Sequence, residues 1–158
     1  MDPITSTVLT GLGATATLDL WSLVRRSELG LPLPNYGHVA RWLLHMRRGR
    51  FHHDAISAAP PVAHETAIGW GVHYAIGVAY AALLPLAWGT AWFESPHLGH
   101  ALAICLATTA APFLLMQPGM GAGLLARRAP RPNVARGHTL VNHLVFGLGL
   151  YLTALSLP

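Results

Sequence analysis

Long apolar runs, broken by single polar positions at helical spacing, dominate this chain. Four of them reach the ~20 residues that a helix needs to cross a hydrocarbon core of about 30 Å. They cover about residues 3–24, 62–88, 98–117 and 138–157. The runs are continuous, which excludes the alternating strands of ~10 residues found in membrane barrels. Pro85 and Pro112 fall inside them, as membrane helices tolerate when neighbours satisfy the freed backbone groups. Between the first two runs, Val39, Trp42, Leu43 and Met46 recur at i, i+3, i+4, i+7, and His38, Arg41, His45 and Arg48 take the other face. That spacing predicts a short amphipathic helix, its apolar side in the headgroup boundary with arginines near lipid phosphate, or else packed beneath the spans. The predicted fold class is an all-α membrane protein. It is a four-transmembrane-helix bundle with a short cytoplasmic amphipathic helix between spans one and two. Residues 1–158 then form one transmembrane domain with loops at 25–61 and 118–137.

Composition supports the same picture. Charged residues are 10% of the chain, too few to cover the surface of a water-soluble domain, for which about 25% is usual. Every Lys/Arg position is arginine. Arg25, Arg26, Arg41, Arg47, Arg48 and Arg50 lie between spans one and two, and Arg127, Arg128, Arg131 and Arg136 between spans three and four. The positive-inside rule then predicts a multi-pass protein of the bacterial inner (plasma) membrane, with both basic loops cytoplasmic and both termini periplasmic. The first span is read as retained, because its arginines follow the apolar run whereas a signal peptide carries them before it. The basic balance is a topology signal; without a basic stripe interleaved with aromatics it does not indicate nucleic acid. Cys105 stands alone, which excludes a disulfide framework or a multi-cysteine cluster within one chain, and it is expected as a small core residue.

Ionisable side chains inside a membrane are costly and normally face a bundle interior. Thr7, Gly11, Thr15, Asp19 and Ser22 share a face of span one, and Glu65, Gly69, His73, Gly77 and Tyr80 a face of span two. Cys105, Thr109, Phe113 and Gln117 do so in span three, and Arg136, Thr139, His143, Gly147 and Tyr151 in span four. Small and polar residues on one face mark helix–helix contacts, so all four stripes are expected to turn inward. At 1.5 Å per residue, Asp19 lies about 9 Å inside Arg25, His73 about 14 Å inside His64, and His143 about 10 Å inside Arg136. A polar layer near the cytoplasmic side follows. Imidazole and carboxylate are ligands for a transition metal, and histidine also holds haem b in membrane cytochromes. The expected metal ligands are Asp19, His73 and His143. Glu65, Gln117 and Arg136 support them, and Gly69, Gly77 and Gly147 leave room for a flat macrocycle or permit close packing.

The leading expectation is a His/carboxylate site open to the cytoplasm that binds a metal or haem for redox chemistry or metal handling. Two alternatives are a non-catalytic accessory or assembly subunit, with a membrane-protein partner on Trp70, Trp88 and the amphipathic helix, and a small proton-coupled transporter acting as a homodimer. No HxxxH or ExxH spacing occurs in the spans. Gly119–Gly123 lacks the GK[ST] of a phosphate loop and is expected as a flexible or closely packed helix exit. Trp21, Trp88 and Trp92 are expected as interface anchors.

The chain also resembles a bacterial family of small four-helix inner-membrane proteins known only as a domain of unknown function. The likeness rests on Asp19 and Trp21, Pro34-Asn-Tyr-Gly37, Arg41–Trp42 and Gly49-Arg-Phe-His52. It continues through Glu65, Gly69-Trp-Gly-Val-His-Tyr74, Pro112-Phe-Leu-Leu-Met-Gln-Pro118, Gly121 and Gly123, and ends in Ala135–Arg136 and His143-Leu-Val-Phe-Gly-Leu-Gly-Leu-Tyr151. The resemblance implies the helical fold and brings no activity, cofactor or ligand set.

Overall fold

The computed structural model describes residues 1–158 and is all-helical. Helix α1 (Pro3–Leu29) starts on Asp2, whose carboxylate accepts from Ile4 N at 3.1 Å and Thr5 N at 3.0 Å, with Pro3 pre-set for the first turn. It ends at Gly30, which takes the left-handed conformation (φ 64°) of a helix stop. Helix α2 (Tyr36–Met46) is the amphipathic segment, and a 3-10 turn (Ile56–Ala58) leads to α3 (Glu65–Trp88). Helix α4 (Leu98–Met120) carries a π-helical stretch at Ala111–Met116, where Pro112 cannot donate its backbone bond. Helix α5 (Pro132–Ser156) closes the chain, again with proline in its first turn. The helices α1, α3, α4 and α5 are each long and apolar enough to cross a membrane. The apolar runs located all four spans, and capping carries α1 past its arginines to Leu29.

The chain forms two compact units, residues 1–34, 74–108 and 141–158 in the first, and 35–73 and 109–140 in the second. In the first unit four helices meet through small residues. A Cβ on Gly11 would lie 2.5 Å from Val78 Cα, and one on Gly149 would lie 2.9 Å from Ala14 Cα, so the α1 backbone touches those of α3 and α5. Gly147 rests on Cys105 and Leu102 of α4. Ala81, Leu84, Leu150 and Cys105 are fully enclosed there, Cys105 as the small core residue expected of it. Trp92 also belongs to this core, which corrects its expected place as an interface anchor. The polar positions of α1 cost little, because Thr7, Thr15 and Ser22 donate to the carbonyls of Pro3, Gly11 and Leu18 one turn back. Large apolar side chains such as Leu20, Leu86 and Leu152 point outward, the arrangement suited to lipid.

The second unit is held by polar contacts. Helix α2 turns its polar face inward: Arg41 and His45 are both 7% exposed, whereas Val39, Leu43 and Met46 remain half-covered. The expectation that Arg41 points to lipid phosphate is therefore corrected. The apolar edge is the outer one. Gly119 carries the indole of Trp42, and Gly121 (φ 103°) packs against the Asp54 backbone, so the glycine-rich exit of α4 is closely packed.

Candidate functional site

Asp19 is the one acidic side chain in the middle of a span, and the structure gives it a defined partner. In the first unit the Tyr74 hydroxyl donates to Asp19 Oδ2 at 3.0 Å. A carboxylate away from water needs such donors, and a phenol supplies one while its ring stays apolar. His143, on α5, belongs to the same unit. Tyr74 was not among the sequence-derived site residues. Its hydroxyl was the available signal, hidden because tyrosines in spans usually mark interfaces.

His73 belongs to the second unit and stacks on Tyr36, with ring centroids 3.8 Å apart and 17° between planes; Trp70 meets Tyr36 edge-on. The three glycines expected to leave room are each filled by protein. A Cβ on Gly69 would collide with the Tyr36 carbonyl, one on Gly77 with the Thr15 hydroxyl, and one on Gly147 would press on Cys105 Sγ at 3.1 Å. A macrocycle seated on these glycines would have to displace those groups. No three His, Cys, Asp or Glu side chains gather into a set that could hold a metal ion. Zinc and its neighbours take three or four such ligands.

The expected supporting residues have other engagements within the second unit. Gln117 Nε2 donates to Thr139 Oγ1 at 3.2 Å, while its buried carbonyl oxygen has no hydrogen-bond partner. Arg136 donates to Leu125 O at 2.7 Å and to Asn133 Oδ1 at 2.9 Å, holding the loop before α5, where Leu125 and Ala126 adopt left-handed backbone.

Glu65 is held by Arg41. The guanidinium grips both carboxylate oxygens, Nε to Oε2 at 2.8 Å and Nη2 to Oε1 at 2.5 Å, and Val62 N donates to Oε2 at 3.0 Å. Nη1 donates to the carbonyls of Ile56 and Ala59, each at 2.9 Å. One buried arginine thus ties α2, the 3-10 turn and the start of α3 together. Hydrogen bonding to Glu65 raises the Arg41 pKa above its ordinary value, against the cost of burial. Glu65 also sits where the positive end of the α3 dipole favours an acid. One turn further along α2, His45 Nδ1 lies 2.9 Å from His53 Nε2, and His53 Nδ1 lies 3.2 Å from Gly119 O. A carbonyl only accepts, so His53 Nδ1 carries a proton, and in the neutral pair His45 Nδ1 donates to His53 Nε2. The chain of bonds links α2 to the end of α4.

The buried face of α2 could have been found in the sequence. Gly37, Arg41 and His45 repeat at steps of four beside Ala40, the same small-and-polar stripe that marked the contact faces of the spans. Charge pointed the other way, because an arginine on a short helix is usually solvated.

Removing one partner of a buried ion pair leaves the other charge uncompensated, at a cost of about 3–5 kcal/mol. Glu65→Gln is expected to lose roughly 3 kcal/mol, measured as reduced thermal stability of the detergent-solubilised protein; unchanged stability would remove the pair from its structural role. Burial, then the charges of His53, Arg50, Arg48 and Arg41, push the His45 pKa below its ordinary value. The unfolded chain therefore binds more protons near the ordinary histidine pKa of about 6.5, and stability falls as pH drops from about 7 to 5. Melting temperatures across that interval measure the effect, and His45→Gln is expected to flatten it.

A family model described as "Protein of unknown function (DUF2938)" matches residues 8–157. Neither a curated protein nor a solved structure matches the chain.

Proposed function

The chain belongs to the family described as "Protein of unknown function (DUF2938)", a description that assigns no chemistry, and we propose from the side chains themselves that it is an inner-membrane protein whose bundle binds and releases protons. The observation that carries this reading is the Tyr74 hydroxyl donating to Asp19 Oδ2 at 3.0 Å. An ionisable residue inside a membrane span is expensive to keep and commonly marks a proton or ion path. Asp19 is the proton acceptor, and Tyr74 holds the carboxylate in one orientation. His143 shares the first unit with Asp19. Imidazole is the side-chain type that exchanges protons near neutral pH, which suits His143 to the following step. The reading keeps the His/carboxylate chemistry expected from the sequence and needs no metal or haem. Proton-coupled transport is the function class it supports.

Infrared difference spectra of the reconstituted protein test the assignment. A carboxyl stretching component that is absent from Asp19→Asn and shifted in Tyr74→Phe is expected. Identical pH-dependent spectra for wild type and Asp19→Asn would overturn it.

The proposed orientation places the loops with exposed Arg47, Arg48, Arg50, Arg127, Arg128 and Arg131 in the cytoplasm and both termini in the periplasm. Membrane-impermeant maleimide on intact cells is expected to label Ser156→Cys, and to label Arg48→Cys only after permeabilisation. The opposite pattern inverts the topology.

A further inference from the structure

The last turns of α1 bury two donors that no acceptor in the protein meets. Arg25 is only 7% exposed, yet its Nε has no hydrogen-bond partner, and the Trp21 indole Nε1 is likewise buried and unsatisfied. The two residues are one turn apart, so their side chains share a face of the helix, with Cβ atoms about 6 Å apart. Indole N–H and guanidinium N–H groups donate and cannot accept. The acids that could have answered them are engaged elsewhere: Asp19 accepts from Tyr74, and Glu28 is exposed beside the Ser27 hydroxyl. The ion pair that the structure does form, Arg41 with Glu65, lies in the other unit. A buried cation left in this state is destabilising unless something outside the chain supplies oxygen acceptors and negative charge.

The geometry points to Trp21 and Arg25 as a receptor for a phosphate oxyanion, with the guanidinium contributing charge and Nε–H, and the indole a second N–H. Arginine's planar fork matches phosphate oxygens well. Phosphate chemistry reaches this end of an apolar helix from two sources, a phospholipid headgroup or free phosphate. The surroundings suit a lipid: Leu20 and Val24, each one residue along α1 from the pair, are exposed. The inference stands independently of the proton chemistry proposed for Asp19, since it needs only that α1 ends at a membrane surface.

Thermal unfolding and native mass spectrometry of the detergent-purified full chain test it. The probes are phosphatidylglycerol, phosphatidylcholine, and inorganic phosphate against matched chloride. Wild-type protein is expected to retain phosphatidylglycerol and to be stabilised by it, with apparent affinity about tenfold weaker in Arg25→Gln and in Trp21→Phe. Stabilisation by inorganic phosphate alone, lost in the same variants, assigns the site to the soluble anion; stabilisation by the phospholipids alone assigns it to the headgroup. Trp21→Phe keeps an aromatic side chain without the indole N–H, so it decides the matter if Arg25→Gln does not fold. No stabilisation by any phosphate probe, or binding unchanged in Trp21→Phe, overturns the proposal.

Discussion

Away from water, a polar group that lacks a partner costs several kcal/mol, and this requirement organises much of the molecule. The hydroxyls of Thr7, Thr15 and Ser22 on α1 meet it locally by donating to their own helix, which lets a span rich in threonine remain a span. Charged groups cannot be satisfied that way. Arg41 and Glu65 meet the requirement through each other and through the carbonyls of Ile56 and Ala59, and in doing so fasten α2 to the start of α3. Asp19 meets it with a phenol from another helix. Trp21 and Arg25 leave it unmet within the chain.

The glycines follow from the other demand of a membrane bundle, close backbone approach without a hydrophobic force between helices. Gly11, Gly77 and Gly149 let α1 touch α3 and α5, and Gly147 seats α4. The same absence of a side chain that suggested space for a cofactor is used up by neighbouring backbone, threonine and cysteine. Small residues create room only when nothing moves in, and van der Waals attraction favours filling it.

Much of the fold was legible in the sequence. The four apolar runs placed the spans, and the stripes of Gly, Ser and Thr named the contact faces of α1 and α5, because both follow from properties of one helix at a time. Asp19 stood out for the same reason, being an acid in the middle of an apolar run. Glu65 was equally visible, but its partner was not: Arg41 is twenty-four positions away on a helix whose charge suggested the opposite facing. Trp92 and Tyr74 escaped because aromatic side chains suit interface and interior alike, and hydropathy does not separate them.

Which segments enter lipid, and which carry arginine, are matters of transfer free energy summed along the chain, and the amino-acid order alone determined them. Pairing is different. Whether a donor meets a carboxylate, a carbonyl or nothing depends on helix rotation and on separations of a few ångströms. Tertiary packing alone decided that Glu65 would anchor α2, that His45 would reach His53, and that Arg25 would be enclosed with no acid to meet it.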